Sequence, residues 1–144
     1  MNISIGMKKA IAASEKGTCK RRKIGSAFYD EDELLLSIGH NGPEKVNCFD
    51  NPCPGADVPA GSGGASGLST CHAIHAEARA LSECDKTKIK DIYSTKAPCP
   101  SCVQLLLTTP CKRIYFLTDS NDQSNKVLWV GAGREWIHVD ESSI

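Results

Sequence analysis

Two short segments bear side chains able to hold a metal and move a proton. His75-Ala76-Glu77 stands where a long loop gives way to helix-forming residues, and Pro98-Cys99-Pro100-Ser101-Cys102 comes later, again at a predicted helix start. One imidazole and two thiolates suit an open catalytic zinc site, in which three protein ligands leave a fourth tetrahedral position for water. Bound in that way, water becomes acidic enough to supply hydroxide near neutral pH. Glu77, two residues past the imidazole on the first turn of its helix, is expected to reach that water without binding the metal and to act as its general base. Cysteines at the beginning of a helix meet unpaired N–H groups and the positive dipole end, which favour thiolate over thiol. Pro98 is expected to open that helix, since it has no N–H to leave unpaired.

Each piece alone is weak. A His-x-Glu is common by chance, and a Cys-x-x-Cys can be half of a structural zinc knuckle or a redox pair. Both together, in this order and each opening a helix, match the pattern of the zinc deaminases. Convergence of the three ligands requires the two helix ends to face each other.

The elements that must position them can be read from periodicity and breakers. Ile3, Met7, Ala10, Ile11 and Ala13 recur at roughly helical spacing over residues 3 to about 16, with Gly17 as a stop. Segments 24–29 and 34–38 flank the polar tip 30–33 and predict an antiparallel β-hairpin. From 39 to 70 the Gly/Pro/Asn/Ser signals predict a loop, unusually long for a compact domain unless something ties it down. A helix is expected over 75 to about 82, a strand over 89–94, a helix from 98 to about 109, a strand over 113–118, a short helix over 125–132 and a last strand or extended tail over 135–139. Strands alternating with helices imply a three-layer α/β/α domain.

The chain has 144 residues, which suits a single domain, here 1–144 with a Cys/Gly/Pro-rich insertion at about 41–71. Its 17 basic and 17 acidic side chains balance, so it lacks the positive field of a nucleic-acid binder, and small substrates are favoured over polymers. No apolar run approaches the roughly 20 residues of a membrane span, and the first residues lack a secretory apolar segment, so a cytoplasmic home is expected. In a reducing compartment the eight cysteines are better read as metal ligands than as disulfides.

Beyond the zinc pattern, the chain resembles the deoxycytidylate (dCMP) deaminases of the cytidine deaminase superfamily over nearly its whole length. Residues 14–27, ending Cys19-Lys20-Arg21-Arg22-Lys23-Ile24-Gly25-Ser26-Ala27, are similar to the family's Cys, basic, Val-Gly-Ala stretch. Ser37-Ile38-Gly39-His40-Asn41-Gly42-Pro43 is similar to its Ser-x-Gly-Tyr-Asn-Gly-x-Pro loop. The resemblance implies a cytidine deaminase-like fold with a central five-stranded mixed sheet and flanking helices. It also implies zinc as the sole cofactor and hydrolysis of dCMP to dUMP and ammonia, which supplies dUMP for thymidylate synthesis. Glu77 then carries the proton from water to the ring nitrogen. A homo-oligomer, a hexamer or dimer, with dCTP as activator and dTTP as inhibitor, is implied as well. Asn41 would bind the deoxyribose hydroxyl and one of the basic cluster, Arg22, the phosphate; Ala76, Arg79 and Tyr115 complete the expected substrate contacts. For Tyr115 and Phe116 core packing is an equal expectation, and for Arg79 a solvent-facing place or a salt bridge is the plainer one. The sequence departs from the family at His40, where tyrosine is usual, and at Arg79, where a neutral amide is usual.

Cys19, Cys48, Cys53 and Cys71 fall outside the catalytic pattern, and three of them bracket the long loop. Four thiolates close a structural zinc site, and His72 is an alternative for one of them. The other reading is free cysteines buried as small apolar residues, as expected for Cys84 and Cys111. Rival activities are deamination of dCTP, cytidine, cytosine, a modified dCMP or tRNA adenosine. A non-catalytic zinc-stabilised binding module is the alternative from another class, but it gives Glu77 no task. His138, on the last strand, is expected to be structural.

Overall fold

A computed structural model describes residues 3–16, 23–41, 75–119 and 123–144. The elements are α1 (Ile3–Ser14), β1 (Gly25–Tyr29), β2 (Leu35–His40), α2 (Ala76–Ser82), β3 (Asp91–Lys96), α3 (Pro100–Leu106), β4 (Arg113–Thr118), α4 (Ser124–Gly131) and β5 (Glu135–His138). Single 3-10 turns precede β3 and end the chain.

The strands form one five-stranded mixed sheet in the order β2-β1-β3-β4-β5. β1 pairs antiparallel with β2 and β3, whereas β3, β4 and β5 run parallel. Successive strand residues point to opposite faces, and this alternation builds two cores. On one face Ala27, Tyr29 and Tyr93 pack with Met7 and Ala10 of α1. On the other, Phe28, Ile92, Ile114 and Phe116 pack with Ala80 of α2, Val103 and Leu106 of α3 and Trp129 of α4. Each large side chain fully removed from water there contributes about 1.5–3 kcal/mol. The layers are therefore α1, sheet, and α2 with α3 and α4, as the alternation of strands and helices predicts.

Two glycines on β1 and β2 admit helix backbone at close range, one on each face. A side chain at Gly25 would meet the Ala10 carbonyl and Ser14 of α1, and one at Gly39 would meet the Ala76 carbonyl and, at 2.7 Å, the Ala80 nitrogen of α2. Gly39 and His40, expected to open the long loop, belong instead to β2, paired with Ser26 and Gly25, and residues 42–70 of that expected loop lie outside the described residues. Gly39 signals close packing and not a turn.

The helix expected from Pro98 starts at Pro100 instead. Cys99 precedes a proline and is extended, with φ −71° and ψ 165°, since the ring of the next residue disfavours the helical region. Pro100 then takes the first helical position. Arg134 closes the other end of α3: its guanidinium donates to the carbonyls of Leu106, Leu107, Thr109 and Cys111, at 2.9 to 3.4 Å, and lies over the Trp129 ring. A cation there satisfies the orphan carbonyls and complements the negative helix end.

Candidate active site

His75 is the residue immediately before α2, and Cys99 the residue immediately before α3. Both are extended at the point where a chain turns into a helix, so both side chains project from helix starts that face each other. Cys102 follows on the first turn of α3 and is buried. The ligand atoms of His75, Cys99 and Cys102 all lie within 4.8 Å of one another. Cys99 Sγ stands 3.5 Å from His75 Nδ1. Tetrahedral zinc with ordinary Zn–S and Zn–N bonds separates a sulfur and a nitrogen by roughly 3.6 Å, so the donor set fits zinc in type and spacing.

The two thiols differ. Hydrogen bonding from Cys102, together with the His75 ring and the Ser101 hydroxyl 3.1 Å away, lowers Cys99 to about 3. Cys102 is pushed up by its hydrogen bond to Cys99 and by burial. Both sulfurs would serve a bound cation as thiolates.

Glu77, the second residue of α2, is 4% exposed and lies beside this cluster. Burial raises its carboxyl above the ordinary value, opposed by its backbone N–H and the His75 ring. Its Oε1 accepts from Ser94 Oγ at 3.0 Å and lies 3.3 Å from Ser26 Oγ. Sequence reasoning missed both serines, because a small polar residue inside a strand carries no local signal of what it will face. It also missed Asn125, wholly buried at the start of α4, whose Nδ2 donates to the Pro98 carbonyl at 2.7 Å and so ties down the turn leading into Cys99.

The remaining expected substrate contacts divide. Asn41 is buried at the end of β2, and its Oδ1 accepts from the Ile24 N–H at 2.8 Å, so it braces the edge of the hairpin. Arg79 is half-buried, and its Nε donates to the His40 carbonyl at 2.8 Å, joining α2 to β2. His40 in turn donates through Nδ1 to the Asn41 carbonyl at 3.3 Å. Ala76 is the buried first residue of α2, lying over Gly39. Tyr115 is not brought to the site. It stacks on Tyr93, ring centroids 4.6 Å apart, on the face covered by α1, whereas Ser94 and Glu77 are on the other. Its neighbour Phe116 faces the site's side but is core, stacked on His138 and tilted against Trp136. His138 Nε2 donates to the Leu117 carbonyl. Cys111 is fully buried with its thiol pushed up to about 12 by burial, and Cys84 is half-buried; both are free thiols. Arg22, Cys19, Cys48, Cys53, Cys71 and His72 lie outside the described residues.

Residues 2–118 match the family model described as the cytidine and deoxycytidylate deaminase zinc-binding region. A deoxycytidylate deaminase of Mycobacterium phage D29 is 31% identical over 116 residues, covering 77% of this chain and 90% of that protein. The deoxycytidylate deaminase of Saccharomyces cerevisiae is 27% identical over 85% of this chain, which spans 40% of the yeast protein's length. The fold matches that of the dCMP deaminase from cyanophage S-TIM5 in apo form, with a TM-score of 0.70, 23% identity, and coverage of 96% of this chain and 100% of that one. With three soft ligands and a buried carboxyl gathered between two helix starts, and with that match over most of its length, this chain belongs to the zinc-binding cytidine and deoxycytidylate deaminase family.

Proposed function

We propose that the chain hydrolyses dCMP to dUMP and ammonia, with zinc held by His75, Cys99 and Cys102 and with Glu77 as the proton carrier. The observation that carries this reading is the placement of a buried carboxyl next to a complete three-donor set that does not need it as a ligand. A zinc ion held by His75, Cys99 and Cys102 would supply a nucleophilic water near neutral pH. Glu77, raised by burial, is suited to hold a proton between steps, to give it to the pyrimidine ring nitrogen and to assist departure of the amine. The nucleotide assignment draws on the phage relative, which is named for deoxycytidylate.

Ammonia release from cytosine, cytidine, CMP, dCMP and dCTP, measured side by side with and without dCTP or dTTP, tests substrate and regulation together. Preference for dCMP supports the reading, and equal turnover of cytidine removes the nucleotide part. Glu77→Gln should lower kcat by about a thousandfold or more with zinc retained, because a general acid–base group and its charge are both lost. A zinc-stabilised binding module would keep its properties in that variant.

A second, structural zinc on Cys19, Cys48, Cys53 and Cys71 belongs to the same proposal, as does a homo-oligomer built from single domains spanning 1–144. Metal analysis should return two zincs per chain, and Cys53→Ser should remove one while sparing the His75 site. One zinc in fully active protein would exclude the structural site. No helix among the described residues is long and apolar enough to cross a membrane. Thiolate ligands go with a reducing compartment such as the cytoplasm.

A further inference from the structure

A proton carrier works only if its carboxyl is held at a fixed place, and Glu77 is held by an unusual device. Ser26 on β1 and Ser94 on β3 are directly paired across the antiparallel ladder, so their side chains emerge together on the α2 side of the sheet. Both are fully buried. Their hydroxyls lie 3.2 Å apart, and Glu77 Oε1 is 3.0 Å from Ser94 and 3.3 Å from Ser26. Two such hydroxyls on an apolar face flanked by Phe28 and Ile92 are costly unless bonded, and their bonds converge on one carboxyl oxygen.

Ser94 has a single hydrogen and three oxygens in reach, Glu77 Oε1, the Lys96 carbonyl at 2.7 Å and the Ser26 hydroxyl. Turned to the carboxyl it donates to a carboxylate. The Ser26 hydroxyl behind it reaches the same oxygen, so Oε1 is gripped from the sheet side at a single place.

We infer that Ser94, backed by Ser26, is the positioning residue of the reaction: it fixes Oε1 of Glu77 and leaves Oε2 as the edge that meets the reacting groups. This rests on the reading of Glu77 as the proton carrier. Displacement of a reacting group by about 1 Å costs on the order of a hundredfold in rate, which sets the size of the effect.

The test is a double-mutant cycle on dCMP with zinc content measured throughout. Ser94→Ala should keep the zinc of the His75 site and a KM within about twofold, lower kcat about 10- to 100-fold, and show the Glu77 carboxyl rotated in a crystal structure. In a Glu77→Ala background, where there is nothing left to hold, the same change should alter the residual rate by less than about twofold. An equal loss in both backgrounds, an unmoved carboxyl, or unchanged kcat for Ser94→Ala beside an inactive Glu77→Ala would overturn the inference. If Ser94→Ala does not fold, Ser26→Ala carries the same cycle with a smaller expected loss. Full turnover by Glu77→Ala is a separate outcome: it removes the reading of Glu77 itself.

Discussion

Cys99 and His75 occupy the same position on two different helices: each is the last extended residue before the helix begins, and Cys99 Sγ lies 3.5 Å from His75 Nδ1. The helices are short, so the site depends on how α2 and α3 are anchored to the sheet. Zinc bound across their ends would tie the two helix starts together, and its binding free energy would add to the stability of the fold.

Removal of the metal should therefore do more than stop turnover. Chelated protein should melt several degrees lower than the zinc form, with both stability and activity restored by zinc. Cys102→Ala should behave as the chelated protein even with zinc in excess. An unchanged melting temperature after verified loss of metal would show that the two helix starts are held by packing alone.

Glu77 gives the metal-free protein a definite pH dependence. Its carboxyl is raised above the ordinary value of 4.5 by burial. Between that value and the folded one, the native state holds a proton that the unfolded chain has released. Stability is thus fully present below about 4.5 and is lost as pH rises through the folded value. Glu77→Gln should remove the loss: in the absence of metal it should melt higher than the parent at pH 7.5, with the difference shrinking toward pH 4.5. Thermal melts across that range check the sign.

Asn125→Ala should leave the Pro98 carbonyl without its donor and open space beneath the turn into Cys99. A cost of about 1–3 kcal/mol is expected for a buried group deprived of its hydrogen bond. Zinc affinity should fall on the order of tenfold or more, as for other residues that orient a ligand indirectly. Competition with a chromogenic chelator measures it.

Gly39→Ala should be more damaging than a single methyl suggests, because the atoms in its way are helix backbone. Either β2 or α2 must shift, at a cost of about 1–3 kcal/mol, and a shift of α2 carries Glu77 with it. Loss of kcat together with stability is expected. Tyr115→Phe is the contrasting case: it should leave KM for dCMP within about twofold, since its ring is stacked on Tyr93 on the far side of the sheet.

Most of the architecture was legible from local pattern. The helix over α1, the hairpin about a polar tip, and β4 and β5 all follow from periodicity and breakers. Where the reading slipped, a local signal was outweighed by packing. Gly39 looked like the start of a loop and is a strand residue that lets α2 approach. Pro98 looked like a helix opener, but Pro100 takes that place and keeps Cys99 extended.

The chemistry of the candidate ligand set is written in local spacing, because a His-x-Glu and a Cys-x-x-Cys are arrangements of neighbours, and helix geometry places neighbours without help from the rest of the chain. What surrounds them depends on how distant segments pack. Ser26 and Ser94 reach Glu77 because β1 and β3 are adjacent in the order β2-β1-β3-β4-β5 and the two serines share a register. Tyr115 misses the site for a related reason: a strand alternates its faces, and which face looks toward the metal ligands is fixed by the helices that pack there. Contacts between residues distant in sequence rest on strand order and parity, and no local spacing encodes either.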